Sequence, residues 1–292
     1  MLHDLLLAEH KIVSQVASPT MIVAADAFGT VRSSPDGIVW TTRNSILGSS
    51  PIQKVFFANG LFVAIGNNFI STSPDGINWT ARTSNIPTGQ LYEIVYTGAF
   101  FLAITLQGSV ILSNDGITWS PVTTVGLPAN GLNVLAYGAG IIIIGTTIGK
   151  LYSSTDGINW TLRLDIGISS YVTGLIYDGT RFVAVCGTLL KISADGITWT
   201  AGANIPISGP KLRFTNNKYF LYTNAYWESI DLVSWSGARS VSGYDIRDIV
   251  FFKDNYYFAT LYYVYRATPT FSALTSIGST SISNFHNSVA TN

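Results

Sequence analysis

Six aspartates recur at nearly constant spacing along this chain, and regularly placed carboxylates can hold a metal ion or a ligand. They are Asp36, Asp75, Asp115, Asp156, Asp195 and Asp231, separated by 39, 40, 41, 39 and 36 residues. A metal site needs ligands that converge within coordination distance, whereas one carboxylate per repeat unit keeps the six far apart. We therefore predict a structural role for them, with no catalytic residue, no bound metal and no cofactor.

The residue types around each aspartate predict a tight turn that holds two strands together. Five copies read Ser-x-Asp-Gly-x-x-Trp, and in the sixth Leu232 replaces the glycine. The carboxylate can accept hydrogen bonds from the backbone N–H groups that follow it. The glycine allows a backbone angle that a Cβ atom resists, and the tryptophan buries a large ring as the next strand begins. The residues assigned to these turns are Asp36, Gly37, Trp40, Asp75, Gly76, Trp79, Asp115, Gly116, Trp119, Asp156, Gly157, Trp160, Asp195, Gly196, Trp199, Asp231 and Trp235.

A second pattern repeats in phase with the first. Each turn follows two apolar runs joined by Asn-Gly, Asp-Gly or a similar pair, as in "KVFFANGLFVAIG" at residues 54–66, which is a strong hairpin signal. A weaker pair at residues 10–26 precedes the first turn, and a further step of 39 residues from Asp231 reaches Thr270 in a seventh, eroded copy. Four short strands in units of about forty residues are typical of propeller blades. We predict an all-β fold, a seven-bladed β-propeller of four-stranded antiparallel blades, with a six-bladed ring as the alternative.

The chain shows no linker or change of composition, so we predict one propeller over residues 11–275 with two short ends. Residues 1–10 carry an apolar patch too short to fold alone, and we interpret them as a candidate docking element. Residues 276–292 show a weak alternation of apolar and polar side chains, which is typical of a strand. This tail either completes a blade and closes the ring or adds a strand to a neighbouring subunit.

The repeated turn resembles the Asp-box, also called the bacterial neuraminidase repeat, and the resemblance covers nearly the whole chain. Proteins with this repeat include sialidases, photosystem-assembly propellers, sortilin-like receptors, and exported bacterial and phage structural proteins. In the usual form one residue separates the aspartate from the glycine, whereas here the glycine follows directly, so the turn is tighter. The resemblance implies a propeller and says little about function, because one fold hosts many activities.

Membership of the sialidase branch would imply three arginines around a carboxylate, a Tyr–Glu nucleophile pair and an Arg-Ile-Pro stretch. The chain has Asn-Ile-Pro at 85–87 and 204–206 instead, and Tyr92 beside Glu93 is the sole candidate pair. We interpret Arg43, Arg82 and Arg163, each three residues after a box tryptophan, as outer-strand side chains that lie over a neighbouring ring. Other carboxylates that could serve a glycoside hydrolase are Asp165, Asp178, Asp245 and Asp248. A converging cluster of carboxylates and arginines would favour an enzyme; without one we predict none.

Charge and composition limit the possible partners. Lys plus Arg and Asp plus Glu number 16 each, and charged residues make up 11% of the chain, against a typical quarter or so. Nucleic acid binding needs a basic stripe, and no apolar run reaches membrane length, so we predict neither partner. The histidines at 3, 10 and 286 lie at the ends, and Cys186 in an apolar run is predicted to be a buried structural thiol.

A partner is expected on the crossings between blades, which vary most and carry Ser, Gly, Asn and Ile. Tyr226 and Trp227 are the candidate partner contacts. Trp227 is the one tryptophan outside a box, at a position that other repeats fill with mixed residue types. An exposed aromatic pair would suit a sugar or a protein interface. The alternative is that Trp227 covers the sixth blade, which lost its box glycine.

These observations predict a non-catalytic propeller that acts as a structural or recognition module of an extracellular assembly, bound to protein subunits or to an uncharged surface glycan. A phage virion protein, either a capsid decoration or a tail adhesin, fits the low charge and the repeat type. We expect a virion or extracellular location. The rivals are a sialidase-like or other glycoside hydrolase and a free glycan-binding lectin.

Overall fold

The computed structural model describes residues 20–25, 29–43, 51–83, 85, 89–167, 170–241, 245–260, 263–271, 274–277 and 288–291. Within these ranges the chain forms seven four-stranded antiparallel sheets. The predicted all-β, seven-bladed propeller is therefore confirmed. No helix among the described residues is long and apolar enough to span a membrane.

The strands follow one another blade by blade. The first three blades contain β1 (Ile22–Ala25), β2 (Val31–Ser34) and β3 (Thr41–Arg43); β4 (Ile52–Ala58), β5 (Leu61–Gly66), β6 (Phe69–Ser73) and β7 (Thr80–Arg82); and β8 (Leu91–Tyr96), β9 (Phe101–Thr105), β10 (Val110–Ser113) and β11 (Ser120–Val122). The fourth and fifth contain β12 (Leu132–Gly138), β13 (Ile141–Thr146), β14 (Lys150–Ser154) and β15 (Thr161–Asp165); and β16 (Val172–Tyr177), β17 (Phe182–Cys186), β18 (Leu189–Ser193) and β19 (Thr200–Asn204). The last two contain β20 (Lys211–Thr215), β21 (Lys218–Tyr222), β22 (Ala225–Ser229) and β23 (Arg239–Ser240); and β24 (Ile246–Phe252), β25 (Asn255–Thr260), β26 (Val264–Ala267) and β27 (Leu274–Ile277), and the final strand is β28 (Ser288–Thr291).

The two ends of the chain meet in the first blade. β28 pairs antiparallel with β1, with Ile22 opposite Thr291 and Ala25 opposite Ser288, so the sheet order is β28-β1-β2-β3. The place beside β1 that the first apolar run at residues 10–18 was expected to fill is thus taken by β28. Residues 1–19, including the candidate docking element, lie outside the described part of the chain. The structure shows the ring-closing alternative for the tail.

The hydrophobic core lies between the blades. Seven buried clusters each combine residues from two consecutive sheets, and the seventh joins Ile22 and Ala24 of the first blade to Val250, Phe252 and Tyr257 of the last. The second strand of each blade is buried on both faces because it faces a neighbour on each side. Cys186 belongs to this core, as predicted, and burial raises the pKa of its thiol to about 12.

The box turn connects the third and fourth strands of a blade. In the first box the Ser34 hydroxyl donates to Asp36 and accepts from the Gly37 N–H, both at 2.8 Å, while Ile38 and Val39 donate backbone N–H bonds to the carboxylate. The indole N–H of the box tryptophan donates to the glycine carbonyl in four of the boxes. The turn and the hairpin between the first two strands lie on one face of the ring, the box face, and the crossings between blades lie on the opposite loop face.

The box glycines also face the preceding blade. Their φ angles are close to +70°, and a Cβ atom on Gly76 would lie 2.7 Å from Cγ2 of Val23 and 3.1 Å from Met21. Corresponding contacts connect Gly157 to Leu102 and Gly196 to Ile143. The box therefore does more than close its own hairpin: it lets two blades approach closely.

In two blades a large apolar residue occupies the position of the box glycine. In the sixth box Leu232 occupies the glycine position at φ +66°, and its side chain is buried in the junction with the fifth blade. In the seventh blade Phe271 has φ +53° and stacks on Tyr256 at 5.1 Å between ring centroids. The hydroxyls of Thr268 and Thr270 lie 3.2 Å apart in the same turn. The structure thus places the eroded seventh copy around Thr270, where the spacing predicted it.

We expect Gly76→Ala to destabilise the protein more than Gly60→Ala, although the two glycines have nearly equal φ angles of +70° and +72°. Around Gly60 no atom lies within 4 Å of an added Cβ, so its replacement costs only the left-handed backbone strain, about 1 to 2 kcal/mol. Gly76→Ala adds overpacking against Val23, about 1 to 3 kcal/mol more. Urea unfolding of both variants measures the difference, and equal losses would contradict interblade contact at the box.

We also expect Leu232→Gly, which restores the repeated motif, to lower stability. Removing a buried leucine side chain costs about 2 to 5 kcal/mol, and glycine at positive φ recovers about 1 to 2 kcal/mol. The net loss in the free energy of unfolding is about 1 to 3 kcal/mol, measured by urea unfolding. Leu232→Ala, which keeps the backbone strain, should be less stable still. A stabilised glycine variant would show that Leu232 does not fill the junction.

Candidate functional site

A cavity of about 530 Å³ runs along the axis of the ring. The described residues that line it come from the innermost strands of six blades, β4, β8, β12, β16, β20 and β24, with Tyr222 of β21 in addition. Its volume lies within the usual range of small-molecule sites. At the box-face end it is lined by aromatic residues, one from each of five blades: Phe57, Tyr137, Tyr177, Phe214 and Phe251.

The loop-face end of the cavity carries polar side chains because the inner strands bulge there. In β4, β8, β12, β16 and β24 the register with the second strand shifts directly after the first residue. A bulge inserts one extra residue and re-aims its side chain. The extra residues are Gln53, Tyr92, Asn133, Thr173 and Arg247, and all five line the cavity. We call them, together with Lys211 at the start of β20, the bulge ring.

Three members of the bulge ring link their blade to the next one. The Asn133 amide donates to the Val172 carbonyl at 2.7 Å, and the Thr173 hydroxyl donates to the Pro210 carbonyl at 2.8 Å. Lys211 Nζ reaches the Arg247 carbonyl at 3.5 Å, which is a long and weak contact. The ring is therefore well bonded in the fourth and fifth blades and poorly bonded at Lys211.

The charged residues of the cavity are unevenly paired. Lys54 forms an ion pair with Glu93, and Arg213 Nε lies 3.8 Å from an Asp248 oxygen. The described lining side chains comprise four cations, Lys54, Lys211, Arg213 and Arg247, and two anions, Glu93 and Asp248. Their net charge is therefore +2. The chain as a whole carries no net charge, so an excess of positive charge in one cavity is a local feature. We therefore take the axial cavity as a candidate binding site.

A second cavity of about 200 Å³ lies on the loop face between the sixth and seventh blades. It shares Lys211, Tyr222 and Arg247 with the axial cavity and is also lined by Thr223 and Asp245. Asp245 lies 3.6 Å from Arg247 and is mostly exposed. Lys211 and Arg247 thus stand at the junction of the two cavities.

The candidate nucleophile pair lies in the axial cavity. Glu93 forms an ion pair with Lys54. Burial raises the pKa of Tyr92, Glu93 raises it further, and Arg247 opposes the shift. Asp165 and Asp178 lie elsewhere: Asp165 pairs with Lys150 at 3.2 Å, and Asp178 accepts bonds from Tyr219 and Arg181.

The box aspartates lie one per blade and do not converge. Among the described residues no group of three or more His, Cys, Asp or Glu side chains could hold a metal ion. Backbone N–H donors of the turn hold the pKa of the carboxyl group below its ordinary value in Asp36, Asp115, Asp195 and Asp231. These carboxylates are therefore occupied by their own turns. The three histidines lie outside the described residues.

The arginines that follow the boxes differ from the interpretation above. Arg43 Nε donates to Ser33 at 2.7 Å, Arg82 to Thr72 at 2.8 Å and Arg163 to Ser153 at 2.7 Å. Each guanidinium thus bonds a buried hydroxyl of the third strand in its own blade instead of lying over a ring. They are a second clasp on the outer hairpin of the first, second and fourth blades and do not form a carboxylate clamp.

The proposed aromatic contact at Tyr226 was wrong. Tyr226 is 1% exposed and packs 4.8 Å from Phe258 between ring centroids, inside the junction of the sixth and seventh blades. Trp227 is half-buried against the junction with the fifth blade, in line with its alternative role as a cover. The mixed residue types at this position of the repeat, four residues before the box aspartate, indicated exposure wrongly. The position faces a blade junction, and Ile111, its counterpart in the third blade, is fully buried.

The most exposed apolar side chains lie on the box face. Six large hydrophobic residues among those described are more than half exposed, and four belong to two boxes: Ile38 at 53% and Val39 at 66% in the first blade, and Ile230 at 74% and Val233 at 68% in the sixth. These four residues, here called the box-face patch, flank the seventh blade on both sides. The equivalent isoleucines of the other boxes are 37–43% exposed.

Comparisons with known proteins show the fold. No protein-family model and no curated protein matches the chain. A solved structure described as YCF48 bound to D1 peptide matches with a TM-score of 0.63 and 17% identity, over 81% of this chain and 84% of that one. YCF48 from Cyanidioschyzon merolae matches with a TM-score of 0.59 and 14% identity, over 77% and 84%. The computationally designed Ika8 protein matches at 0.57 and 15%, over 82% and 80%. The chain is thus a seven-bladed propeller structurally similar to YCF48.

Sequence reasoning missed the cations of the cavity. Lys211, Arg213 and Arg247 lie within otherwise apolar inner strands, where the sequences "KLRF" and "IRDI" carry the signal. A charge inside a strand that faces the ring axis is unexpected unless it has a partner or a ligand. The bulge hid this signal, because an extra residue breaks the alternation by which inward positions are recognised.

We expect the stability of the protein to fall in acid through its box aspartates. A carboxyl group whose pKa is lowered in the folded state stabilises the fold above its ordinary pKa of about 4, and this contribution is lost as the pH falls through the lowered value. Asp195→Asn should therefore melt below the parent protein at neutral pH, and the gap should shrink below about pH 4. Thermal unfolding from pH 7 to pH 2 at fixed ionic strength tests this. A gap that stays constant over that range would show that the charge of Asp195 contributes nothing.

Proposed function

We infer that this propeller is a non-catalytic protein-binding module. The observation that carries this inference is the box-face patch, in which Ile38, Val39, Ile230 and Val233 expose more than half of their side chains. Each of the two boxes exposes two apolar side chains close together in sequence, and clustered exposed apolar groups mark interaction surfaces more than single ones do. The patch replaces the loop-face aromatics as the surface on which we expect a partner, because Tyr226 is buried.

Two further observations support a protein partner. The structurally similar YCF48 is described in complex with the D1 peptide, so a propeller of this shape can serve recognition. The box carboxylates and the arginines that follow them form hydrogen bonds within their own blades, so we assign them a structural role. A partner is then expected to contact positions that differ between blades, and the box-face patch is one such position.

The finer assignment to an extracellular assembly, with a phage virion as the best candidate, rests on the low charge and on the repeat type. The comparisons add no support to it. Fractionation of the native source is the direct test: the assembly role predicts that the protein sediments with a particle. A monomer that stays soluble at high concentration and is absent from every particle would overturn it.

A glycoside hydrolase is the second candidate, because Glu93, Asp248, Arg213 and Arg247 do meet in one cavity. Both carboxylates lie in ion pairs with Lys54 and Arg213, and this favours a structural or binding role for the charges. Hydrolysis of sialosides or oligosaccharides by the purified protein, lost in Glu93→Gln and Asp248→Asn, would establish the enzyme. Glycan binding without turnover would establish the third reading, a free lectin.

Site-specific photo-crosslinking tests the protein-binding function. A photoreactive amino acid in place of Val39 or Val233 should give covalent adducts with one protein of the native source. The matched control is Ile158, which occupies the position of Val233 in the box of the fourth blade and is 37% exposed. Adducts from Val39 and Val233 but not from position 158 are expected. Equal labelling at all three positions, or none, would contradict a partner on the box-face patch.

A further inference from the structure

Lys211 and Arg247 form a cationic pair whose contacts with the described residues are long. Both are half-buried at the point where the two cavities join. Lys211 forms no ion pair with a described residue, and its one hydrogen bond is the 3.5 Å contact with the Arg247 carbonyl. The Arg247 Nε is buried with no hydrogen-bond partner, and its terminal nitrogen meets Asp245 only at 3.6 Å.

Partnering these groups so weakly is unfavourable. A buried donor without an acceptor, such as the Arg247 Nε, costs free energy, and a charged donor costs more than a neutral one. Burial lowers the pKa of Lys211; Arg247 and Lys54 add to the shift, and Asp248 and Glu93 oppose it. An anion held between Lys211 and Arg247 would supply the missing acceptors.

The surroundings define the kind of anion. The small cavity holds about 200 Å³, enough for a few heavy atoms, and it offers the Thr223 side chain and the apolar Ile246 beside the two cations. A planar carboxylate matches the paired N–H groups of a guanidinium, with the ammonium as a second contact. Asp245 at the mouth disfavours ligands of high negative charge.

We propose that the junction of the two cavities is a binding site for a small carboxylate, with Lys211 and Arg247 as its ligands. The carboxylate belongs either to a free organic acid or to the end of a peptide chain. Tyr222 also lines both cavities, and Arg213 lines the axial cavity beside them. The site is separate from the box-face patch, so its test can fail without the protein-binding function failing, and the reverse.

Calorimetric titration of the full chain tests the site with four probes: succinate, inorganic phosphate, the peptide acetyl-Gly-Ser-Gly-Ala with a free carboxylate, and the same peptide amidated. We expect succinate or the free-acid peptide to bind and the amide not to bind. Succinate binding alone identifies a free acid as the source, and peptide-acid binding identifies a chain terminus. Binding of phosphate alone, or of no probe, overturns the carboxylate assignment.

Variants locate the site. Lys211→Met and Arg247→Met should each weaken binding of the carboxylate probe by about tenfold or more, since each removes a charge-assisted hydrogen bond. Lys150→Met is the matched control, because Lys150 pairs with Asp165 on the fourth blade, far from the junction. Neither cavity variant should melt far below the parent protein, because the described contacts of Lys211 and Arg247 are long, at 3.5 Å and 3.6 Å. Unchanged affinity in both variants, or a marked loss of stability in Lys211→Met, would show that the cations serve the fold and not a ligand.

Discussion

The approach of one blade to the next through the box glycine is the contact on which the rest of this structure depends. Hydrogen bonds within the turn, from Ser34 and from two backbone N–H groups to Asp36, hold the loop closed. That closed loop presents a residue without a side chain to the preceding blade, where Val23, Leu102 or Ile143 fills the space. Each polar turn therefore prepares an apolar junction. Five such junctions, and two in which a side chain occupies the glycine position, make the ring, and β28 completes its first blade by pairing with β1.

In the two junctions that lack the glycine, a side chain of the box turn packs at the blade junction. Leu232 and Phe271 keep the left-handed backbone, and their side chains pack there. Additional polar bonds bridge the same two junctions on the box face: Tyr219 donates to Asp178 of the preceding blade, and Asn216 donates to Tyr256 of the following one at 3.1 Å. The backbone conformation is thus retained across all the described turns, and the chemistry that stabilises it varies.

The sequence allowed the fold to be predicted well, because repetition averages out local ambiguity. A single box, such as "SPDGINW" at residues 73–79, is a plausible turn. Six boxes in register with six hairpins define blades. Two features escaped prediction, and a third was left as one of two alternatives, because all three arise only when the ring closes. The burial of Tyr226 depends on Phe258 of the next blade, and the cation excess appears only when β20 and β24 lie side by side. The choice between ring closure by the tail and docking on a neighbour depends on the contact between the two ends of the chain. Each concerns contacts between units, which a pattern within one unit does not contain.

The irregular features of the molecule are concentrated in one sector. From the second to the fifth blade the boxes keep the aspartate, glycine and tryptophan, and Asn133 and Thr173 bond the bulge ring to the next blade. In the sixth and seventh blades the box glycine is lost, and at the junction between them the bulge ring has two poorly partnered cations in place of a short hydrogen bond. The box-face patch flanks the same seventh blade. Neighbouring units of a repeat fold are stabilised by equivalent contacts, so residues that depart from those contacts are candidates for binding another molecule. In this propeller the box-face patch and the Lys211–Arg247 junction, on opposite faces, meet that condition in the same sector.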